Sequence, residues 1–236
     1  MCKIVKRGHF PSDEKEFTGK HVDKLYKAGQ DLYYLLNQGY NIKGASVFVG
    51  NHYLLSERQR LALSRAISSE KNIKIRKEKE VKDNLKNSIV NIDGFNTIIT
   101  LEVALSNSLL IKCMDGTIRD LAGLRGTYRI IDKTELSIMK IGETLEKHKI
   151  KKANFYLDAP VSNSGNLKKK IEELLKNFDF EVEVMNINNV DSTLETLDNV
   201  ISSDAIILDK CKSWININRE ILDKKIENNL CVDFNL

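Results

Sequence analysis

The sequence predicts an α/β protein: a mainly parallel sheet flanked by helices, preceded by a smaller helical N-terminal domain. Three observations predict it. From residue 88 onward, short apolar runs alternate with helical patterns. Three of those runs, IVNI, NFYL and VISS, stop on Asp93, Asp158 and Asp204. Before residue 70, apolar residues recur mainly at helical spacing.

Taken in order, Val22, Leu25, Tyr26, Leu32, Tyr33, Leu35 and Leu36 mark a helix from Thr18 to Asn37, with Gly39 as its stop. The next stretch, ASVFVGNHYLL, fits a hairpin or a short helix and turn, and its periodicity does not decide. Ser56 and Gln59 have the spacing of a capping box that opens a helix from Glu57 to about Ile67, carrying Arg58, Arg60 and Arg65. Residues 70–87 mix both signs of charge with few large apolar residues. They read as a linker or exposed helix between an N-terminal domain, 1–69, and an α/β domain, 88–236.

In the second part, strands are expected at SIVNI (88–92), NFYL (154–157), EVEVMNI (181–187), VISS (200–203) and WINI (214–217). Helices are expected near 96–106, 133–148, 166–177 and 218–228. Such alternation implies a parallel sheet covered on both faces. Residues 109–129 interrupt it, and Asp115-Gly116 suggests a hairpin turn there.

Composition narrows the function classes. With 42% hydrophobic and 30% charged residues among 236, the chain is expected to fold and be soluble. No run approaches the roughly 18 apolar residues of a membrane span, and the basic N-terminus lacks the apolar core of a secretory signal. Cys2, Cys113, Cys211 and Cys231 form no CxxC pair, which suits reduced thiols in a cytoplasmic protein. Residues 1–86 hold 18 Lys and Arg against 10 Asp and Glu, while residues 87–236 hold 19 against 23. The first part therefore suits a polyanionic partner, although a solvated lysine-rich surface explains the same excess. No P-loop, GxGxxG or GxSxG motif is present, and the four histidines are dispersed.

The strand-end aspartates carry the chemistry. On neighbouring parallel strands, Asp93, Asp158 and Asp204 would converge at the carboxyl edge, where open α/β sheets build their sites. Like charges that close need a cation or a proton between them. Asp93 and Asn96 offer oxygen ligands suited to Mg²⁺ or Mn²⁺, but Asp-Gly and Asn are also ordinary turn and capping residues. Ser162, Asn163 and Ser164 precede a helix and suit a phosphate, or simple N-capping. Ser203 lies beside Asp204, which also suits a helix start. Arg119 and Arg125, in the 109–129 insertion, suit a nucleic-acid backbone, or a surface salt-bridge network.

Together IVNIDGFN, NFYLDAPVSNSG, VISSDAIILD and RGHFPSDEKEF…GNHYLLSERQRLAL resemble the family called domain of unknown function 434, over nearly the full length. The C-terminal part also resembles the PIN-like nuclease superfamily, a Rossmann-like α/β fold, especially its NYN branch. Asp93 and Asn96 match that branch's D-G-x-N signature. Ser203 and Asp204 match its S-D position, and Asp158 its second-strand acid. The usual acid of the central helix has no fixed counterpart; Glu102, Asp120 and Asp209 are the candidates. The resemblance implies a metal-dependent ribonuclease. Asp93, Asp158 and Asp204 would be metal ligands and catalytic residues. Asn96, Ser162, Asn163, Ser164, Ser203, Arg119 and Arg125 would bind substrate, and the basic N-terminal part would add RNA affinity. A non-catalytic RNA-binding or assembly module, and a small-molecule phosphatase or nucleotide hydrolase, are the other expectations. A homo-oligomer stays open.

Overall fold

The computed structural model describes residues 5–124, 126–223 and 230–235. Its main sheet contains β1 (Ile89–Asp93), β4 (Lys152–Asp158), β5 (Glu181–Ile187) and β6 (Val200–Ile201), in the spatial order β5-β4-β1-β6. Every neighbouring pair is parallel, with Asp93 beside Tyr156 and Asn91 beside Val200. The chain therefore runs outward from β1 through β4 to β5, then returns to the other side of β1 as β6. The reversal leaves a crevice beyond the carboxyl ends of β1 and β6, the usual ligand position in open parallel sheets.

Helices cover both faces. One core joins Val90, Ile92, Phe155 and Leu157 of the sheet to Phe95 and Ile98 of α6 (Gly94–Leu105), Ile138 and Ile141 of α7 (Asp132–Lys147), and Leu167 and Ile171 of α8 (Ser164–Leu175). The other face packs Tyr156 and Val200 against Val190 and Leu194 of α9 (Val190–Leu194), Ile207 and Leu208 of α10 (Ala205–Lys210), and Trp214. Strand β1 is buried at all but its first residue, which accounts for its nearly unbroken apolar sequence. The edge strand β5 keeps most of its residues partly exposed and reads as an alternation.

The N-terminal helices are α1 (Asp13–Glu16), α2 (Gly19–Asn37), α3 (Ile42–His52), α4 (Glu57–Ala66) and α5 (Glu70–Lys79). The undecided ASVFVGNHYLL stretch lies mostly in α3, whose N-cap Asn41 accepts from Gly44 N–H at 2.8 Å. Ser56 and Gln59 make both bonds of the expected capping box. These helices do not enclose a core alone. Leu25, Leu32, Val49 and Leu63 pack with Ile111 and Val232 from a second sheet and with Phe234 just beyond it. That sheet joins β2 (Leu110–Lys112) antiparallel to β3 (Ile118–Asp120) and parallel to β7 (Cys231–Asp233).

Several sequence expectations need correction. Residues 70–87 follow the helix alternative over 70–79, but the segment is not wholly exposed: Arg76 is buried, and Leu85 joins the main core. Arg76 escaped notice because its partners, Asp115 and Asp209, lie far away in sequence. The fifth strand at 214–217 reduces to isolated bridges at Trp214, and α11 (Ile217–Leu222) starts within it. The fourth strand stops at Ile201, two residues early. The helix expected to reach residue 228 passes outside the described residues at 224, as does Arg125.

Candidate functional site

Asp93 closes β1 and caps α6. Its Oδ1 accepts from Asn96 N–H at 3.3 Å, and its Oδ2 accepts from Ser202 Oγ at 2.8 Å. Gly94 makes this sharp strand-to-helix passage possible: a Cβ there would meet Leu157 Cδ2 at 2.6 Å and Tyr156 O at 3.0 Å. Asp204 caps α10 in the same manner, accepting from Ile206 N–H at 2.8 Å and Ile207 N–H at 3.3 Å. Asn96 ties the two strand ends together. Its Oδ1 accepts from Ser203 N–H at 2.8 Å and from Ser203 Oγ at 2.9 Å. The helix-start role anticipated for Asp204 is thus realised and occupies one of its oxygens, whereas Asp93, rather than the anticipated Asn96, caps α6 through one oxygen and holds Ser202 with the other.

Asp93, Asn96, Asp158, Ser203 and Asp204 all line one cavity of about 800 Å³ above the sheet. A fourth acid joins them. Asp191, in the first turn of α9, lines the same cavity. Its signal was in the sequence: EVEVMNI is followed, after the spacer NNV, by another aspartate. The three-residue spacer hid the repetition of the strand-then-acid pattern.

Burial and mutual repulsion shape these carboxyls. Burial pushes the Asp93 pKa up to about 7; the Ser202 and Asn96 hydrogen bonds oppose this, while Asp191 and Asp204 add to it. Burial also raises Asp191, helped by the charges of Asp204, Asp158 and Glu195. Burial raises Asp158, partly offset by the Val190 amide. These carboxylates therefore act on one another. Their oxygen donor set and excess negative charge suit a divalent cation. As they stand, no three His, Cys, Asp or Glu side chains among the described residues converge tightly enough to hold an ion.

Arg119 is not a free phosphate ligand, although it lines the cavity. It is 6% exposed, donates through Nε to Ser203 O at 2.6 Å, and pairs through Nη2 with Asp115 at 2.6 Å. Its Nη1 donates to Arg65 O. Asp115 also accepts from Arg76 at 2.7 Å, and Arg76 holds Asp209 through two further bonds. Burial would raise the Asp115 pKa, but Arg119 and Arg76 outweigh it and hold the carboxyl below its ordinary range. The turn aspartate of Asp115-Gly116 is therefore the centre of a charge network whose other members, Arg76, Arg119 and Asp209, reach the cavity lining.

The other candidates separate. Glu102 is fully buried among Arg7, Tyr128 and Thr134, away from the cavity lining. Asp120 lines the cavity but is bound by Thr100 Oγ1 and Ala122 N–H, both at 2.8 Å. Asp209 lines it while paired to Arg76. Ser162, Asn163 and Ser164 are not among the lining residues. Ser162 N–H donates to Gly126 O, and Asn163 Nδ2 donates to Tyr128 O at 2.8 Å, so this loop packs against the 126–128 segment instead. In the N-terminal part, Arg58 is paired with Asp13, Arg60 bonds Leu55 O and Asn51, and Arg65 bonds Asp120 O. Their guanidinium groups are engaged in bonds within the fold.

Comparison with known proteins follows the same division. Residues 82–220 match the model of a domain of unknown function, DUF5616. The chain belongs to the DUF5616 family. Residues 24–79 match a second model, the protein of unknown function DUF434, so that likeness covers the N-terminal helices and not the whole chain. An uncharacterised protein of Methanocaldococcus jannaschii is 41% identical over 186 residues, covering 78% of this chain and 88% of the relative. No solved structure matches. Asp93, Asp158, Asp191 and Asp204 of this DUF5616 protein lie within residues 82–220, as do the other lining aspartates, Asp120 and Asp209, while part of the cavity wall comes from the DUF434 segment.

Proposed function

We propose that this DUF5616 protein is a metal-dependent phosphodiesterase acting on RNA, built on a PIN-like fold of the NYN branch. The observation that carries the reading is the meeting of Asp93, Asp158, Asp191 and Asp204 at one cavity, beyond the carboxyl ends of parallel strands.

In this reading Asp93, Asp158 and Asp204 hold Mg²⁺ or Mn²⁺, and Asp191 supplies the fourth acid. The bound ion would lower the pKa of a water and neutralise charge developing on phosphate. Asn96 and Ser203 lock the ends of β1 and β6 in register, so that Asp93 and Asp204 keep a fixed relation. Arg119 holds the Ser203 carbonyl and is thereby a positioning residue rather than a substrate ligand. Asp93 must lose its proton before it serves as a ligand, which its raised pKa delays to about neutral pH.

The test is the double change Asp93→Asn with Asp204→Asn, assayed on an RNA panel with Mn²⁺. The parent should cleave and the variant should not. Equal cleavage by both proteins would refute the mechanism.

One observation favours a second reading, a non-catalytic RNA-binding or assembly module: Asp93 and Asp204 already serve as helix caps, and among the described residues no three His, Cys, Asp or Glu side chains converge tightly enough to hold an ion. RNA binding without cleavage, unchanged by Mn²⁺, would support that module. Cleavage of nucleotides but not of RNA would point instead to a small-molecule phosphatase or nucleotide hydrolase.

A further inference from the structure

The cavity extends past the carboxylates. Its far wall is built by the N-terminal helices and the connections between them, through Leu36, Tyr40, Ile42 and Ile67. Tyr40, between α2 and α3, is 62% exposed. Ile206, two residues beyond Asp204, is 59% exposed and lines the same cavity. Most large apolar side chains near a cavity of this kind contribute to a core; these two remain in water at its wall. Exposed apolar surface in a concave site is the informative exception to burial.

The two ends differ in chemistry. One carries Asp93, Asp158, Asp191 and Asp204, and the charged lining continues through the paired Asp120, Asp209, Arg65, Arg76 and Arg119. The other is aliphatic and aromatic; Ser64, Ser69 and Asn72 also line the cavity, but their side chains are already bonded to Leu61 O, Asn72 N–H and Asp209. Its volume of about 800 Å³ falls within the usual span for small-molecule sites. A ligand that fills both ends needs a group held through a cation at one end. At the other it needs a flat, uncharged body. A nucleotide unit of a single strand has that form. A base paired inside a duplex cannot offer its face or its edges to such a wall.

We propose that Tyr40 and the apolar wall around it form a subsite for an unpaired nucleobase, beside the carboxylate edge. The identity of the ligand rests on the RNA reading above; the subsite does not require that the RNA be cut. Base stacking on an aromatic ring tolerates any sequence, so the subsite needs no free polar partner for the base edges. The DUF434 helices then serve the site through an aromatic platform rather than through Arg58, Arg60 and Arg65.

The test measures binding of a fluorescently labelled single-stranded RNA to the full chain, with Ca²⁺ present as an oxygen-seeking cation. A second RNA carries abasic positions on an intact backbone. Tyr40→Ala should weaken binding of the intact strand roughly ten-fold, and Tyr40→Phe should restore it to within about two-fold of the parent. The abasic strand should bind the parent about as weakly, with no further loss from Tyr40→Ala. Equal affinity of Tyr40→Ala and parent for the intact strand would overturn the subsite. So would equal losses on both strands, or failure of the parent to bind any strand. Loss of base-dependent binding in a protein that never cleaves RNA would leave the subsite standing and remove only the nuclease reading.

Discussion

Asp93 and Asp115 are both buried aspartates, and their surroundings drive them in opposite directions. Asp93 has hydrogen-bond donors but acidic neighbours, so its pKa rises to about 7. Its raised folded-state pKa supports stability below the unfolded value, and that support is lost as pH rises through about 7. Asp93→Asn keeps an acceptor for Ser202 and never ionises. Its melting temperature should match the parent near pH 4 and exceed it above pH 7, by at most roughly 4 kcal/mol in stability. Parallel melting curves for the two proteins across that range would show that burial does not penalise the charge. Asp115 instead carries two arginines, each almost wholly buried. Asp115→Asn leaves both cations without that counter-charge, and urea unfolding should show a loss of roughly 3–5 kcal/mol. A loss below about 1 kcal/mol would mean that Asp209 and the backbone carbonyls suffice for the pair.

At the scale of elements, the β1–α6 junction sets the site geometry. An alanine at position 94 would press on the carbonyl of Tyr156, which belongs to the sheet backbone and cannot turn aside. Gly94→Ala should therefore cost about 1–3 kcal/mol, despite alanine's better helix propensity, as read by denaturant unfolding. An unchanged midpoint would show that the junction can relax. Elements whose signals are local were legible in the sequence. The capping box fixed α4, apolar runs marked β1, β4 and β5, and strand-end acids pointed to Asp93, Asp158 and Asp204. What depended on distant partners was not legible. A helix at 70–79 was one of two readings, but the burial of Arg76 against Asp115 and Asp209 had no local signal. The 109–129 insertion gained a parallel partner, β7, from beyond residue 230. Asp191 was hidden by three spacer residues, and Arg119 resembled a surface arginine until its bond to Ser203 placed it inside.

Across the whole molecule, the second sheet joins the two halves of the chain. Leu110 and Ile118 enter the main core, while Ile111 and Leu121 enter the core shared with α2 to α4. The buried Arg76–Asp115–Arg119 chain crosses the same boundary and ends on the carbonyl beside Asp204. No helix among the described residues is long and apolar enough to cross a membrane. The central claim is that Asp93, Asp158, Asp191 and Asp204, gathered beyond the carboxyl ends of parallel strands, bind divalent cation. Calorimetric titration with Mn²⁺ at about pH 8, where Asp93 is ionised, tests it most directly. The parent should bind saturably, and Asp93→Asn with Asp204→Asn should bind on the order of ten-fold more weakly or not at all. Absence of heat from the parent at millimolar Mn²⁺, or equal affinity in both proteins, would contradict the claim.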